Sequence, residues 1–315
     1  MMDQILEWLP EFVCSVVTRM PEERRRNLEE IRLRAGQTPE LICSDGIWND
    51  PIKEQRCFTR SDAAAMLQKI SGYSLYTMEE ELRRGYITVQ GGHRIGLAGR
   101  VVTEDGHVRR LRDVAFFNVR IARQKIGAGM PLISSLYQEG RWRSTLLVGA
   151  PQTGKTTLLR DLARLISNGF PEKSIPGEKT GIIDERSEIA GCVGGVPQND
   201  VGSRTDVLDA CPKAEGMMMM IRSMSPAVLV VDEIGNREDM DALVEALNAG
   251  VAVLASAHAG SWDELKKRPS FLPLLHIRLF ERYVVLTRIR GKRGRRLSVL
   301  DGFGKIITTV EEAWK

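Results

Sequence analysis

No stretch of the 315-residue chain holds the ~18–20 consecutive apolar residues that a membrane-spanning helix needs. Asp3 and Glu7 interrupt the first apolar residues, so a secretory signal is not expected either. The five cysteines (Cys14, Cys43, Cys57, Cys192, Cys211) are scattered and form no C-x-x-C pair. This argues against a disulfide framework or structural zinc and favours a reducing compartment. Charge of one sign is also lacking: 45 basic minus 41 acidic residues leaves +4, too little to imply a polyanionic partner by itself. Aromatic residues are 6% and form no basic, aromatic-rich stripe, so nucleic acid is not the expected partner. What is present is an ordinary globular mixture, 43% hydrophobic and 27% charged. Disordered, collagen-like and coiled-coil classes are thereby excluded, and the length suits about two domains. The expected location is cytoplasmic, with peripheral attachment to a membrane left open.

Apolar residues in 1–34 recur at helical spacing, and Pro21-Glu22-Glu23 opens like a helix start, with Leu28, Ile31 and Leu33 following. Residues 39–43 read as a short strand closed by Asp45-Gly46. A helix is expected from Ser61 as N-cap to Ile70, with Gly72 ending it. Residues 86–90, 94–102 and 115–121 read as strands, with Gly91-Gly92 and Asp105-Gly106 as turns. Residues 1–125 thus form a small α+β domain, and 126–135, with Gly127, Gly129 and Pro131, read as a linker. From Ser144 onward the texture changes to apolar strands alternating with helices: strands near 145–149, 181–184, 227–232 and 251–257, helices near 155–166, 213–224 and 240–247. That alternation predicts a parallel sheet covered on both faces over 136–315. Two further strands near 283–289 and 297–300 flank a basic turn at 292–296.

Gly149-Ala150-Pro151-Gln152-Thr153-Gly154-Lys155-Thr156 satisfies G-x-x-x-x-G-K-[ST] in full. It follows the apolar strand Leu146-Leu147-Val148 and opens a helix with Leu158, Leu159, Leu162 and Leu165 on one face. The glycines let backbone N–H groups curl around a phosphate, and the helix presents its positive end to the same point. Lys155 is expected at the β- and γ-phosphates of ATP, Thr156 at Mg²⁺ and Thr157 near the α-phosphate. Such a site needs a carboxylate at the end of a neighbouring strand, and Val228-Leu229-Val230-Val231-Asp232-Glu233 supplies two. Asp232 is the expected metal ligand and Glu233 the candidate to polarise the attacking water. Ile182-Ile183-Asp184-Glu185-Arg186 repeats the theme, so Asp184 or Glu185 competes for that role, unless they merely pair with Arg186. A small-molecule kinase fits less well, because the segment between the loop's helix and Lys213 carries only Arg186 and Arg204 and is not lid-like.

The run from Arg222 through Ser225-Pro226 and Asp232-Glu233, then Glu245–Gly250 and Val253-Leu254-Ala255-Ser256-Ala257-His258, resembles the type II/type IV secretion ATPases. The resemblance covers most of the chain and is strongest over 94–260. Gly202–Leu208, Cys211–Met217 and Phe280–Tyr283 resemble a sporulation branch of that family most closely. The resemblance implies a RecA-like P-loop NTPase domain behind a smaller N-terminal domain. It also implies a hexameric ring with ATP at subunit boundaries, and integral membrane components of a channel as partners. It makes His258 the sensing histidine and Asp184-Glu185 the acidic box. The second acidic strand departs from the family's usual Gly-Glu by ending in Asp232-Glu233, which leaves the choice of base open.

A transferring phosphoryl group needs cationic help, and the resemblance draws attention to Arg100, Arg120 and Arg123 as arginines acting across a boundary. Strand alternation lets only one of Arg120 and Arg123 face a nucleotide, and Arg120 is the choice. Arg204 and Arg222 are further candidates. The Met217–Met220 run reads as pliable packing, not a metal site. His93 reads as a turn residue. The basic turn 292–296 reads as a solvated tip or a docking point. Two other classes remain open: a RecA-like ATPase acting on nucleic acid, and a nucleotide-dependent scaffold.

Overall fold

The computed structural model describes residues 5–52, 56–72, 79–289 and 294–313. The chain divides into two compact units, Met1–Arg123 and Gln124–Lys315.

The first unit is a six-stranded antiparallel sheet in the order β3-β2-β1-β6-β5-β4. Its strands are β1 (Leu28–Arg34), β2 (Glu40–Cys43), β3 (Gly46–Trp48), β4 (Tyr86–Val89), β5 (His93–Glu104) and β6 (His107–Arg120). Helices α1 (Glu11–Thr18), α2 (Glu22–Arg26), α3 (Arg60–Ile70) and α4 (Glu79–Arg84) accompany it. Val13, Val17 and Met66 join Ile31, Leu33, Ile95 and Val119 in one core. The expected helical continuation through Leu28, Ile31 and Leu33 is corrected here, because these residues are strand β1. A bulge between Leu28 and Glu30 inserts one residue, so Leu28 and Ile31 both reach the core three positions apart. That spacing imitates a helix. The cap of α3 also moves: Thr59, not Ser61, accepts the N–H of Asp62, and Asp62 answers to the Thr59 N–H. His93 is not an exposed turn residue. It is buried, and its Nδ1 accepts the N–H of Ala122 at 3.0 Å.

The second unit carries an eight-stranded sheet in the order β11-β10-β12-β13-β9-β14-β15-β16. Strands β9 (Thr145–Gly149), β10 (Thr180–Asp184), β11 (Thr205–Asp209), β12 (Val228–Val231), β13 (Ala252–His258) and β14 (Arg282–Arg288) are parallel. β15 (Gly294–Asp301) and β16 (Ile306–Ala313) continue antiparallel, and β7 (Tyr137–Gln138) and β8 (Arg141–Trp142) form a separate small hairpin. Every residue of β9, β10 and β12 is buried, as strands covered on both faces must be. Alternate residues divide between two cores. Leu147, Ile182, Val230 and Leu254 pack against Leu159 and Leu162 of one helix, α6 (Lys155–Asn168), which follows the short α5 (Ile133–Leu136). Leu146, Ile183, Leu229 and Val253 pack on the other face against α7 (Lys213–Met224) and α8 (Arg237–Asn248) through Met217, Met220 and Leu243. Met217 and Met220 are therefore core, and Met219 is exposed. Residues 126–135, expected as a connecting segment, contribute Ala128, Leu132 and Ile133 to the core on the α6 face.

Among the described residues no helix is long and apolar enough to cross a membrane.

Candidate functional site

The site forms at the C-terminal ends of the parallel strands, where open α/β sheets bind ligands. β13 lies between β9 and β12, so it brings the phosphate loop and the second acidic strand to either side of His258. The Cα atoms of His258 and Gly149 are ladder partners. Gly149 has no room for a side chain: a Cβ would lie 2.6 Å from Thr153 Oγ and 3.2 Å from Leu286. Gly154 precedes α6 with φ 86° and Gln152 has φ 60°, two left-handed residues that wind the loop around its own N–H groups. Thr153 Oγ donates to Ala150 O at 2.8 Å, closing the turn from inside. Pro151 and Gln152 are exposed at its rim, and Thr156 and Thr157 are half-buried in the first turn of the helix.

Lys155 Nζ donates to Gly149 O (2.9 Å) and Ala150 O (3.0 Å), and lies 3.0 Å from Nδ1 of His258. An ammonium has only protons to give, so Nδ1 accepts and the ring proton sits on Nε2. Nε2 then donates to Glu233 Oε1 at 2.7 Å, and Glu233 Oε2 meets Arg186 Nη1 at 3.2 Å. The result is a string, Lys155–His258–Glu233–Arg186, in which cations flank a neutral ring and a carboxylate. Burial pulls the Lys155 ammonium below its ordinary range, against the attraction of Glu233 and Asp232. Glu233 occupies the left-handed region at φ 44°, unusual for a residue with a side chain and frequent at functional sites. Buried Ser256 ties both acids of the second strand together: it donates to Asp232 Oδ1 at 2.6 Å and accepts the Glu233 N–H at 3.0 Å. Burial raises the Asp232 carboxyl, while the Ser256 hydroxyl acts in the opposite direction.

The acids at the end of β10 are engaged elsewhere. Asp184, 1% exposed, accepts the N–H groups of Glu188, Ile189 and Ala190 at 2.8, 3.0 and 2.8 Å. Burial raises its carboxyl to about 6 despite the N–H groups that favour the anion. Glu185 is paired with Lys213. Arg186, expected as their partner, turns to Glu233 instead. Replacing Asp184 with Ala strands three N–H donors, two of them buried, and should destabilise the protein by at least about 2 kcal/mol. A lower Tm and faster amide exchange at Ile189 and Ala190 would show it, and unchanged exchange there would refute it.

The candidate trans arginines lie at several places. Arg120 Nε is 3.6 Å from Glu30, and Arg123 donates to Leu28 O at 2.8 Å. Arg100 and Arg222 are exposed, and Arg204 donates to Gly177 O.

Four residues that the sequence reading did not single out join the site: Ser256, Arg160, Arg288 and Arg295. Arg160 of α6 donates to the carbonyls of Glu188 and Ile189, and burial lowers its guanidinium against the pull of Asp184 and Asp232. Its position five residues beyond Lys155 was the only signal. The basic turn 292–296 needs correction. Residues 292 and 293 lie outside the described residues, but Arg295 is only 2% exposed and bonds to Gly154 O, while Arg296 pairs with Glu311 on the surface.

A parallel-rich sheet with a complete phosphate loop after β9, preceded in the chain by a smaller α+β unit, defines the class: a RecA-like P-loop NTPase fold. Solved structures agree. The Legionella pneumophila ATPase DotB superposes with a TM-score of 0.62 at 14% identity, covering 93% of this chain and 81% of that one. The pilus retraction motor PilT with bound ADP gives 0.59 at 15% identity, covering 89% and 81%. The chain belongs to the family sporulation stage III, protein AA, whose model matches residues 2–307. It is 53% identical over 307 residues to the stage III sporulation protein AA of Bacillus subtilis (strain 168), 98% of this chain and 97% of that protein. It is also 28% identical over 272 residues to the uncharacterized protein ycf45 of Cyanidium caldarium, 85% and 71% respectively.

Proposed function

We propose that this protein is an ATP-hydrolysing motor. It works as a hexameric ring at the cytoplasmic face of a sporulation channel that links mother cell and forespore. Its partners are further copies of itself and integral membrane components of that channel. The observation that carries the reading is the string from Lys155 through His258 to Glu233 beside a fully formed phosphate loop.

Mg²⁺ suits the donor set, since Thr156 offers a hydroxyl and Asp232 a carboxylate, both hard oxygens. Among the described residues no cluster of three His, Cys, Asp or Glu forms a ready-made cage, in keeping with an ion that arrives with the phosphates. When bound there, the ion would neutralise charge on the terminal phosphates. The chain's own residues do the rest. Loop N–H groups and Lys155 hold the phosphates. Glu233 orients a water toward the γ-phosphorus and takes its proton as the new P–O bond forms and the bond to the ADP oxygen breaks. His258 loses the Lys155 proton donor when that ammonium turns to phosphate, so its ring registers whether nucleotide is present. Arg120, reaching a neighbouring subunit's ATP, is the trans cation of this scheme.

An ATPase assay on purified protein, with light scattering with and without ATP, tests the reading. Phosphate release and an ATP-dependent rise in mass toward a hexamer are expected. A chain that neither hydrolyses ATP nor assembles is not a motor. Stimulation by DNA or RNA that collapses steeply with salt would favour the nucleic-acid alternative.

A further inference from the structure

The hairpin of β14 and β15 places two arginines directly opposite each other, since the Cα atoms of Arg288 and Arg295 are ladder partners. Like charges so placed repel and weaken a sheet. Both arginines turn to the phosphate loop. Arg288 Nη2 donates to Gln152 O at 2.8 Å. Arg295 Nη1 donates to Gly154 O at 2.9 Å and reaches Thr153 O at 3.5 Å. Arg295 is held there by Glu312, its ladder partner on β16, through a 2.8 Å bond from Nε, and Lys125 binds the second oxygen of the same carboxylate. Burial by itself would raise the Glu312 carboxyl, but Lys125 and Arg295 bring it below its ordinary range. Gly154 is fitted to this contact: a Cβ there would lie 2.5 Å from Arg295 Nη1.

A trans peptide is planar, so each N–H points away from the preceding C=O. The Gly154 carbonyl also accepts the Leu158 N–H at 3.0 Å, the first bond of α6, and Arg295 adds a second bond to it, while Arg288 bonds the Gln152 carbonyl; carbonyls fixed in this way aim the N–H groups of Thr153 and Lys155 inward. Those are groups a phosphate nest uses. We propose that Arg288 and Arg295 are positioning residues that hold the phosphate loop in its anion-receiving shape before nucleotide arrives. They act through the loop's carbonyls and touch no phosphate. This inference rests on the nucleotide-binding reading above and deepens it.

The nest serves ground state and transition state alike, so its loss raises KM and leaves kcat nearly unchanged. The test is binding of mant-ADP, with ATP hydrolysis and Tm measured alongside. Arg288 is exposed and reaches Gln152 O through Nη2, a point contact that an ammonium can also make, so Arg288→Ala should weaken mant-ADP by about 10-fold and Arg288→Lys should restore it. Arg295→Lys keeps a cation for Glu312 but has no fork to reach the loop as well, and should lose about 10- to 100-fold. This asymmetry in rescue is not expected of residues that only stabilise the hairpin. The inference is overturned if Arg288→Ala and Arg295→Lys keep a wild-type Tm and bind within about twofold of wild type, while Lys155→Ala does not bind. Should Arg295→Lys not fold, the Arg288 pair decides alone. Wild-type protein that binds no mant-ADP removes the nucleotide reading itself, and this inference with it.

Discussion

Glu233→Gln is expected to bind ATP normally and hydrolyse it about 10²- to 10⁴-fold more slowly, the usual contribution of a positioned general base. The geometry supports this choice over its competitors. Glu233 is linked to Lys155 through one imidazole, and its backbone is held in the left-handed region by Ser256. Gln keeps an oxygen for the His258 Nε2–H but presents an amide to Arg186, so it preserves the packing while losing both the charge and the proton acceptor. Both Glu233 oxygens are engaged too, by His258 and Arg186, but His258 connects them to Lys155, whereas Asp184 accepts three backbone N–H groups and Glu185 is paired with Lys213. Glu185→Gln should therefore hydrolyse ATP within about tenfold of wild type. Single-turnover hydrolysis with separately measured ATP affinity distinguishes these cases. Normal hydrolysis by Glu233→Gln, with a large loss in Glu185→Gln or Asp184→Asn, would move the base to the end of β10.

Local pattern carried much of this arrangement and long-range contact carried the remainder. The phosphate loop and Asp232-Glu233 were legible because each lies at the end of an apolar strand, and strand ends in a parallel sheet converge, whereas His258 was marked by the family resemblance. β1 was hidden because its bulge turned a two-residue repeat into a three-residue one. β11 and β16 were not anticipated: β11 is only half-buried and β16 alternates half-buried and exposed positions, so neither has a continuous apolar run. Arg295 could not be assigned, because a charged residue beside other charged residues looks solvated until the chain folds. Its partners Gly154 and Glu312 lie on elements 141 and 17 residues away. The chain pattern sets Arg186 against Asp184 or Glu185 next to it, but its guanidinium meets Glu233, 47 residues away at another strand end.

Lys155→Ala is expected to lower affinity for ATP and ADP by about 10²- to 10³-fold, because it removes two or so charge-assisted bonds to phosphate in a partly desolvated site. The same ammonium now satisfies two loop carbonyls and the His258 ring. Nucleotide binding must exchange those neutral acceptors for anionic oxygens, a favourable exchange that also frees His258 Nδ1. Lys155→Arg should not rescue binding. The planar guanidinium is bulkier than the ammonium and cannot take its place among Gly149 O, Ala150 O and the imidazole without displacing the ring. Isothermal titration with ADP and ATP measures both variants, and Tm controls for folding, since losing a buried cation leaves Asp232 and Glu233 less compensated. Wild-type affinity in Lys155→Ala would mean that loop amides alone secure the phosphates. The Lys155–His258–Glu233 string would then be a structural tie between the start of α6 and two strand ends, and the coupling between nucleotide arrival and the base would have no physical carrier.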